Sequence, residues 1–257
     1  MLGAENLEVA VGPRPALRRA LGRARKLAAI VKVPAYRHAL RHGVAAAVEH
    51  DSDPFRHDFR LVLDVGASRG QFALVAARRF PQATLVCFEP LPEPRRILKR
   101  ALAWHRDLDV IGCAVSLEAG KAEFVVSRAD DSSSLLEMTD TQTRYFPGTE
   151  AAGRITVQTA RLDDLMPPER LVRPCLLKID VQGSELQVLR GASTTLAVAD
   201  SVLVECSFAE LYRGQALAGE IIDVLHDHGF GLSAICSPVT GRSGMVLQAD
   251  MLFERDD

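Results

Sequence analysis

Beyond residue 58 the chain alternates short apolar runs with amphipathic segments. RLVLDV (60–65) is short and continuously apolar up to its acid, which predicts a parallel strand buried on both faces. Gln71 to Arg79 reads as a helix and ATLVCF (83–88) as a second strand. Residues 92–104 read as a helix with Ile97, Leu98, Ala101 and Leu102 as its apolar positions, and DVIGCAV (109–115) as a third strand. This β-α-β-α-β order predicts a parallel sheet with right-handed crossovers. Residues 121–161 break the rhythm. There AEFVVS and RITVQTAR read as strands around a polar segment, DDSSSLLEMTDTQTRYFPG, long enough to be a functional loop. The rhythm resumes with the strand CLLKIDV (175–181) and the helix of GSELQVLRG, which Gly191 is placed to close. SVLVECSF (201–208) is another strand, and a helix runs from about Leu217 to His228. GLSAIC and MVLQADMLF end the chain as strands.

The N-terminal part differs. PALRRALGRARKLAAIVKV (15–33) has Leu17, Leu21, Leu27 and Val31 at helical spacing. Arg18, Arg19, Arg23, Arg25, Lys26 and Lys32 occupy much of the remaining surface. No acid occurs from Arg14 to Arg41. We read residues 1–58 as a helical extension that caps the site or makes a homodimer contact, and residues 59–257 as one catalytic domain. Residues 1–60 hold 11 Lys/Arg against 6 Asp/Glu, so this end is basic although the whole chain has a net charge of −2. The near-neutral total and 5% aromatic content give no basic face with stacking platforms, so a nucleic-acid partner is not expected. No run reaches a membrane span, and no compact apolar block follows the first basic residues, so the expected location is cytoplasmic. Cys87, Cys113, Cys175, Cys206 and Cys236 lie in or beside apolar runs without a CxxC pair. They read as buried hydrophobes rather than a disulfide or metal framework.

The first strand leads into LDVGASRGQF (63–72). In an open parallel sheet, ligands bind beyond the carboxyl ends of the strands. A dinucleotide fingerprint would place glycine at 66, 68 and 71, but 68 is Ser and 71 is Gln. A phosphate-binding P-loop would need Lys followed by Ser or Thr after its last glycine, and none is present. Asp64 would repel a pyrophosphate; it suits an ammonium group or loop N–H groups instead. Glu89, 25 residues later at the next strand end, can accept from both ribose hydroxyls. A ribose, a cationic amino-acid head and no phosphate describe S-adenosylmethionine better than NAD. Two rivals stay open at this level: an NAD(P)-dependent oxidoreductase and a non-catalytic module that keeps the fold.

LDVGASRGQF (63–72), FEP (88–90), CAVS (113–116), ARLDDL (160–165), KIDVQGSELQVLRG (178–191), VLVECSF (202–208) and LQADMLF (247–253) together resemble the FkbM family of S-adenosylmethionine-dependent methyltransferases. The resemblance spans about residues 60–255. It implies a class I, Rossmann-like α/β fold: a mostly parallel doubly wound sheet with an antiparallel C-terminal strand. It also implies O-methylation of a hydroxyl on a small molecule, sugar or natural product. By this likeness Asp64, Gly66, Ala67, Ser68, Gly70 and Phe72 line the methionine end of the cofactor. Glu89 and Pro90 lie at the ribose, Ala114 and Val115 near the adenine, and Asp180 beside the cofactor as well. Ser68 stands where the family often has Asn, and Ser184 where it often has a larger residue or Ala.

A hydroxyl is a weak nucleophile, so methyl transfer to it calls for a base or a metal that removes or polarises its proton. Asp180 ends the fourth parallel strand, with Lys178 two residues before it. Glu185 opens the next helix, and Glu205 lies near the end of the strand after that. These form either a base with its orienting partners or a divalent-cation site on Asp180 and Glu205. Asp180, Glu205 and Lys178 are the catalytic candidates. Of the histidines, His38, His42, His50 and His57 fall in the extension and His226 and His228 at a helix end; none is expected at a strand end facing the site, and a histidine base supplied by the N-terminal cap is the alternative. The DDSSS stretch (130–134) is a candidate cover over cofactor or acceptor.

Overall fold

The computed structural model describes residues 24, 26–241 and 244–255. Most of the basic helix expected at 15–33 lies outside them; residues 26–32 are helical. A short helix α1 (Pro34–Leu40) and a 3-10 turn (Val48–Ser52) precede β1 (Leu61–Val65) and α2 (Gln71–Arg79). Then come β2 (Thr84–Phe88), α3 (Pro92–Ala101), β3 (Leu108–Ile111), β4 (Ala114–Val115) and β5 (Gly120–Ser127). α4 (Asp140–Tyr145), β6 (Ala151–Ala160), α5 (Leu162–Leu165), β7 (Cys175–Ile179), α6 (Glu185–Arg190) and α7 (Ser193–Val198) follow. β8 (Ser201–Ser207), α8 (Ala218–Asp227), β9 (Phe230–Thr240) and β10 (Val246–Arg255) complete the chain.

Seven strands form one sheet in the order β3-β2-β1-β7-β8-β10-β9, with β10 antiparallel to both neighbours and the pairs from β3 to β8 parallel. This is the expected doubly wound sheet with its antiparallel C-terminal strand. The expected third strand, 109–115, is in fact two. The strand breaks at Gly112 and Cys113, and β4 leaves the main sheet to pair with β6 in a second, three-stranded sheet of order β4-β6-β5. Continuous apolarity hid this break, because both halves are extended and only their partners differ. Gly191 closes α6 as expected, capping it at φ −90° rather than in the left-handed region. Its lack of a side chain matters because a Cβ there would come within 2.6 Å of the Ser116 carbonyl oxygen.

Each face of the sheet carries its own core. Leu63, Val65, Leu177 and Val204 point into one with Leu186, Leu189, Ile221 and Leu225. Val62, Leu176, Leu203 and Leu252 point into the other with Leu74 and Leu98. The N-terminal segment belongs to this second core through Ile30, Tyr36, Ala39 and Val44. Burial of each large aliphatic or aromatic side chain contributes about 1.5–3 kcal/mol. Tyr36, fully buried, also donates its hydroxyl to Asp51 Oδ1 at 2.8 Å, and Arg78 on α2 donates to both groups at 3.0 and 2.9 Å. Tyr36 and Asp51 are thereby fastened to α2. Among the described residues no helix is long and apolar enough to cross a membrane.

Candidate active site

The glycine turn after β1 is held from both sides. Gly66 and Ala67 each donate their N–H to the Phe88 carbonyl at 3.0 Å. Gly66 has φ +87°, and a Cβ on it would fall 1.8 Å from the Asp180 carbonyl oxygen, so only glycine lets the turn cross the end of β7. Glu89 braces the turn from β2: its Oε1 accepts from Leu91 N–H at 2.7 Å and its Oε2 from Ser68 N–H at 2.9 Å. Burial pushes the Glu89 carboxyl up to about 7, against the pull of these N–H groups. Each oxygen keeps a second lone pair, so a diol can still be bound there.

Glu89 opens onto a cleft of about 470 Å³ whose apolar walls include Phe88, Pro90, Ala114, Val115, Phe124 and Leu135. The last two come from the region that interrupts the parallel rhythm. Phe124 on β5 packs with Leu91, Ala114 and Val157 to roof the cleft. Within the polar 130–134 stretch, Asp131 and Ser133 line it, and Ser134 Oγ donates to the Gln182 carbonyl at 2.6 Å.

A second cleft, about 810 Å³, adjoins the first and shares Gly66, Ser68, Asp131 and Asp180 with it. Its floor is charged because of strand register. Asp64 on β1 is paired with Lys178 on β7, and Glu205 on β8 with Asp250 on β10. Side chains alternate along a strand, so all four emerge on the face covered by α2 and the N-terminal segment. Lys178 Nζ lies 3.1 Å from Asp180 Oδ2. The Gln182 amide donates at 2.8 Å to both Asp180 Oδ1 and Glu205 Oε2, and Gln248 donates to Glu205 Oε1 at 2.6 Å. Gln182 sits at φ +57°, a strained backbone for a side chain of this size, and Tyr212 holds its Oε1 by a 2.7 Å hydrogen bond.

These contacts set the charges. Burial alone would push the Lys178 ammonium down, but Asp180, Asp250, Asp64 and Glu205 outweigh it and hold it above its ordinary value. Burial works to raise Asp180 as well, yet Lys178 and the Gln182 amide keep its carboxyl below the usual range. Glu205 is pushed well up by burial and by Asp180 and Asp250. Asp64, 2% exposed, rises to about 6 through burial, partly offset by Lys178. Asp64 Oδ2 and Ser68 Oγ are buried without a hydrogen-bond partner among the described residues, and both residues border the second cleft. An unsatisfied buried carboxylate oxygen is costly, so this end of the site is chemically incomplete without a donor from a ligand.

The candidates therefore converge, with two exceptions. Gly70 is not among the residues lining either cleft; at φ +89° it starts α2 against Leu98 and Leu102, a packing role. Glu185 turns its Oε1 back to Gly183 and Val181 N–H at 2.9 and 3.3 Å, bracing the loop after β7. As for a cation site on Asp180 and Glu205, no group of three or more His, Cys, Asp or Glu is arranged to hold a metal among the described residues, and the Lys178 ammonium sits beside Asp180 instead.

His50 reaches the site from the Val48–Ser52 turn of the N-terminal segment rather than from a strand end, as a histidine supplied by the cap requires. It is buried in the wall of the second cleft, edge-on to Phe72 with ring centroids 5.3 Å apart. Asp250, Gln182, Gln248 and Tyr212 were missed. The spacing of His50 and Asp53 was visible in the sequence, but nothing local said that the segment folds back over the sheet.

The methyltransferase FkbM domain is the family whose model matches this chain, over residues 64–232. Over 171 residues the chain is 29% identical to the 2-O-methyltransferase NoeI of Sinorhizobium fredii, an alignment covering 64% of this chain and 70% of that one. Over 202 residues it is 29% identical to the 31-O-demethyl-FK506 methyltransferase FkbM of Streptomyces tacrolimicus, covering 70% and 75%. The fold superimposes on the crystal structure of a methyltransferase FkbM from Methylobacillus flagellatus with a TM-score of 0.52 at 14% identity, over 82% of this chain and 49% of that one. Sheet order, glycine turn and family match agree: the chain belongs to the FkbM methyltransferase family, S-adenosylmethionine-dependent enzymes of the class I fold.

Proposed function

We propose that this protein transfers a methyl group from S-adenosylmethionine to a hydroxyl on a polar small molecule, of the kind found on sugars and hydroxylated natural products. One observation carries the reading. An apolar cleft bearing the carboxyl of Glu89 meets a charged cleft at the Gly66–Ser68 turn and Asp180. The names of two relatives, a 2-O-methyltransferase and a 31-O-demethyl-FK506 methyltransferase, also point to oxygen as the acceptor atom.

The residues present fit the cofactor. Ala114, Val115 and Phe124 offer an apolar slot for the adenine, and Pro90 and Glu89 flank the ribose. Asp64, with one oxygen unsatisfied, and Ser68 and Ala67 on the turn suit the cationic methionine head. When bound, the cofactor supplies a methyl group already activated by a positive sulfur. The protein's task is then largely to hold the acceptor oxygen in line. Asp180, kept ionised by Lys178 and steadied by Gln182, can accept a hydrogen bond from the acceptor. Glu205, with its carboxyl pushed up by burial, can donate one. Phe72, under Lys178 at 5.7 Å, forms an apolar side of the same cleft.

The test is tritium transfer from methyl-labelled S-adenosylmethionine into a panel of methyl pyranosides, alongside S-adenosylhomocysteine binding by calorimetry. The expected product is a base-stable methyl ether. Label recovered as a base-labile ester or on nitrogen would overturn the proposal.

A further inference from the structure

We infer that His50, oriented by Asp53, is the general base that takes the proton from the acceptor hydroxyl. The inference rests on the O-transfer reading above. It adds residues that lie outside the 64–232 segment matched by the family.

The geometry is that of a base with its orienting acid. His50 Nδ1 lies 2.7 Å from Asp53 Oδ2, and both residues are buried. A carboxylate at that distance takes the Nδ1 proton as its hydrogen-bond donor, which fixes the tautomer and leaves the Nε2 lone pair exposed to the cleft. Nε2 is 3.8 Å from Asp250 Oδ2, too far for a hydrogen bond, so Nε2 is not committed to that neighbour. A hydroxyl oxygen approaching from the cleft, beside rather than between these two atoms, can reach Nε2.

The ring is also well fixed. His50 lies in the Val48–Ser52 turn. Arg79 donates to its carbonyl at 2.8 Å, Phe72 packs on its ring, and the Tyr36–Asp51–Arg78 group holds the adjacent residue. Around His50 stand Asp53 from its own segment, Asp250 from β10, Asp64 from β1, and Lys178 and Asp180 from β7 and its end; Cys236 on β9 faces Asp53. The rival base, Asp180, is held below the usual carboxylate range and already carries Lys178 and Gln182, which suits an acceptor of hydrogen bonds better than an acceptor of protons.

In the transfer, the acceptor oxygen forms its bond to the methyl carbon as the carbon–sulfur bond breaks and its electron pair stays on sulfur. The hydroxyl proton passes to His50 Nε2, and the imidazolium then releases it to solvent. The charge changes balance: a sulfonium and a neutral imidazole become a thioether and an imidazolium.

Two measurements test this. Methyl 4-nitrobenzenesulfonate is a methyl donor that needs no acceptor substrate. With S-adenosylhomocysteine bound it should methylate His50 at Nε2, and Asp53→Asn should slow that reaction. Methylation at Nδ1, or an Nε2 rate indifferent to Asp53→Asn, overturns the proposal. In turnover with a responsive pyranoside, His50→Gln should lower kcat by about 100- to 10,000-fold and remove the acidic limb of the pH profile of kcat/KM. KM and S-adenosylhomocysteine affinity should stay near wild type. If His50→Gln keeps both kcat and the limb, the base is elsewhere while O-transfer stands. If S-adenosylhomocysteine binds but label never reaches oxygen, O-transfer itself has failed.

Discussion

Replacing Asp64 with Asn should make the ligand-free protein more stable above neutral pH while weakening its hold on the cofactor. Asp64 is 2% exposed, one of its oxygens is unsatisfied, and its carboxyl rises from 3.8 to about 6. At 1.36 kcal/mol for each tenfold change in proton affinity, that rise amounts to about 3 kcal/mol held against the ionised form. In the unfolded chain the group loses its proton near 3.8, and in the folded one near 6. The folded state therefore binds more protons across that window, and stability falls as pH rises through it. The penalty is absent below the unfolded value and complete above about 6. Asn carries no charge, so Asp64→Asn should match wild type at low pH and gain up to about 3 kcal/mol at pH 8. Lys178 keeps Asp180 at 3.1 Å, so losing the Asp64 charge does not strand it. Cofactor binding should reverse the ranking, because a charge-assisted hydrogen bond of about 1.5–3 kcal/mol is lost. Urea denaturation from pH 4.5 to 8, with and without S-adenosylhomocysteine, reads both effects. A stability difference that does not vary with pH, or a variant less stable than wild type at pH 8 without ligand, would refute the reasoning.

Gly66→Ala should abolish S-adenosylhomocysteine binding in calorimetry and lower the melting temperature. The new Cβ would meet the Asp180 carbonyl at 1.8 Å on a backbone at φ +87°, where conformational strain alone costs about 1–3 kcal/mol. Gln182→Ala frees Asp180 and Glu205 from their shared amide. It should reduce kcat about tenfold or more while cofactor affinity, measured separately, stays close to wild type; an equal loss in both would show that Gln182 acts on the cofactor side.

The parallel sheet was readable because its cause is local. LVLDV, TLVCF and CLLKI are almost wholly apolar, as parallel strands buried on both faces are, and a glycine turn follows the first of them. Asp64 and Glu89 could be singled out because each ends such a strand beside a turn, and Lys178, Asp180 and Glu205 because charge is rare on buried strands. What the linear order could not show is which strands lie side by side. Asp250 faces Glu205 only because β10 inserts antiparallel between β8 and β9, and DVIGCAV splits only because β4 finds a partner in β6. The same holds for His50. Its apolar neighbours Tyr36, Ala39 and Val44 bury against α2 and α3, and that long-range packing carries a histidine from an apparently separate extension into the wall of the site. Local pattern determined the elements and the glycine turn with its two acids, since burial and backbone conformation act on neighbouring residues. Register and long-range packing decided the charged cleft, since they bring together residues as far apart as His50 and Asp250.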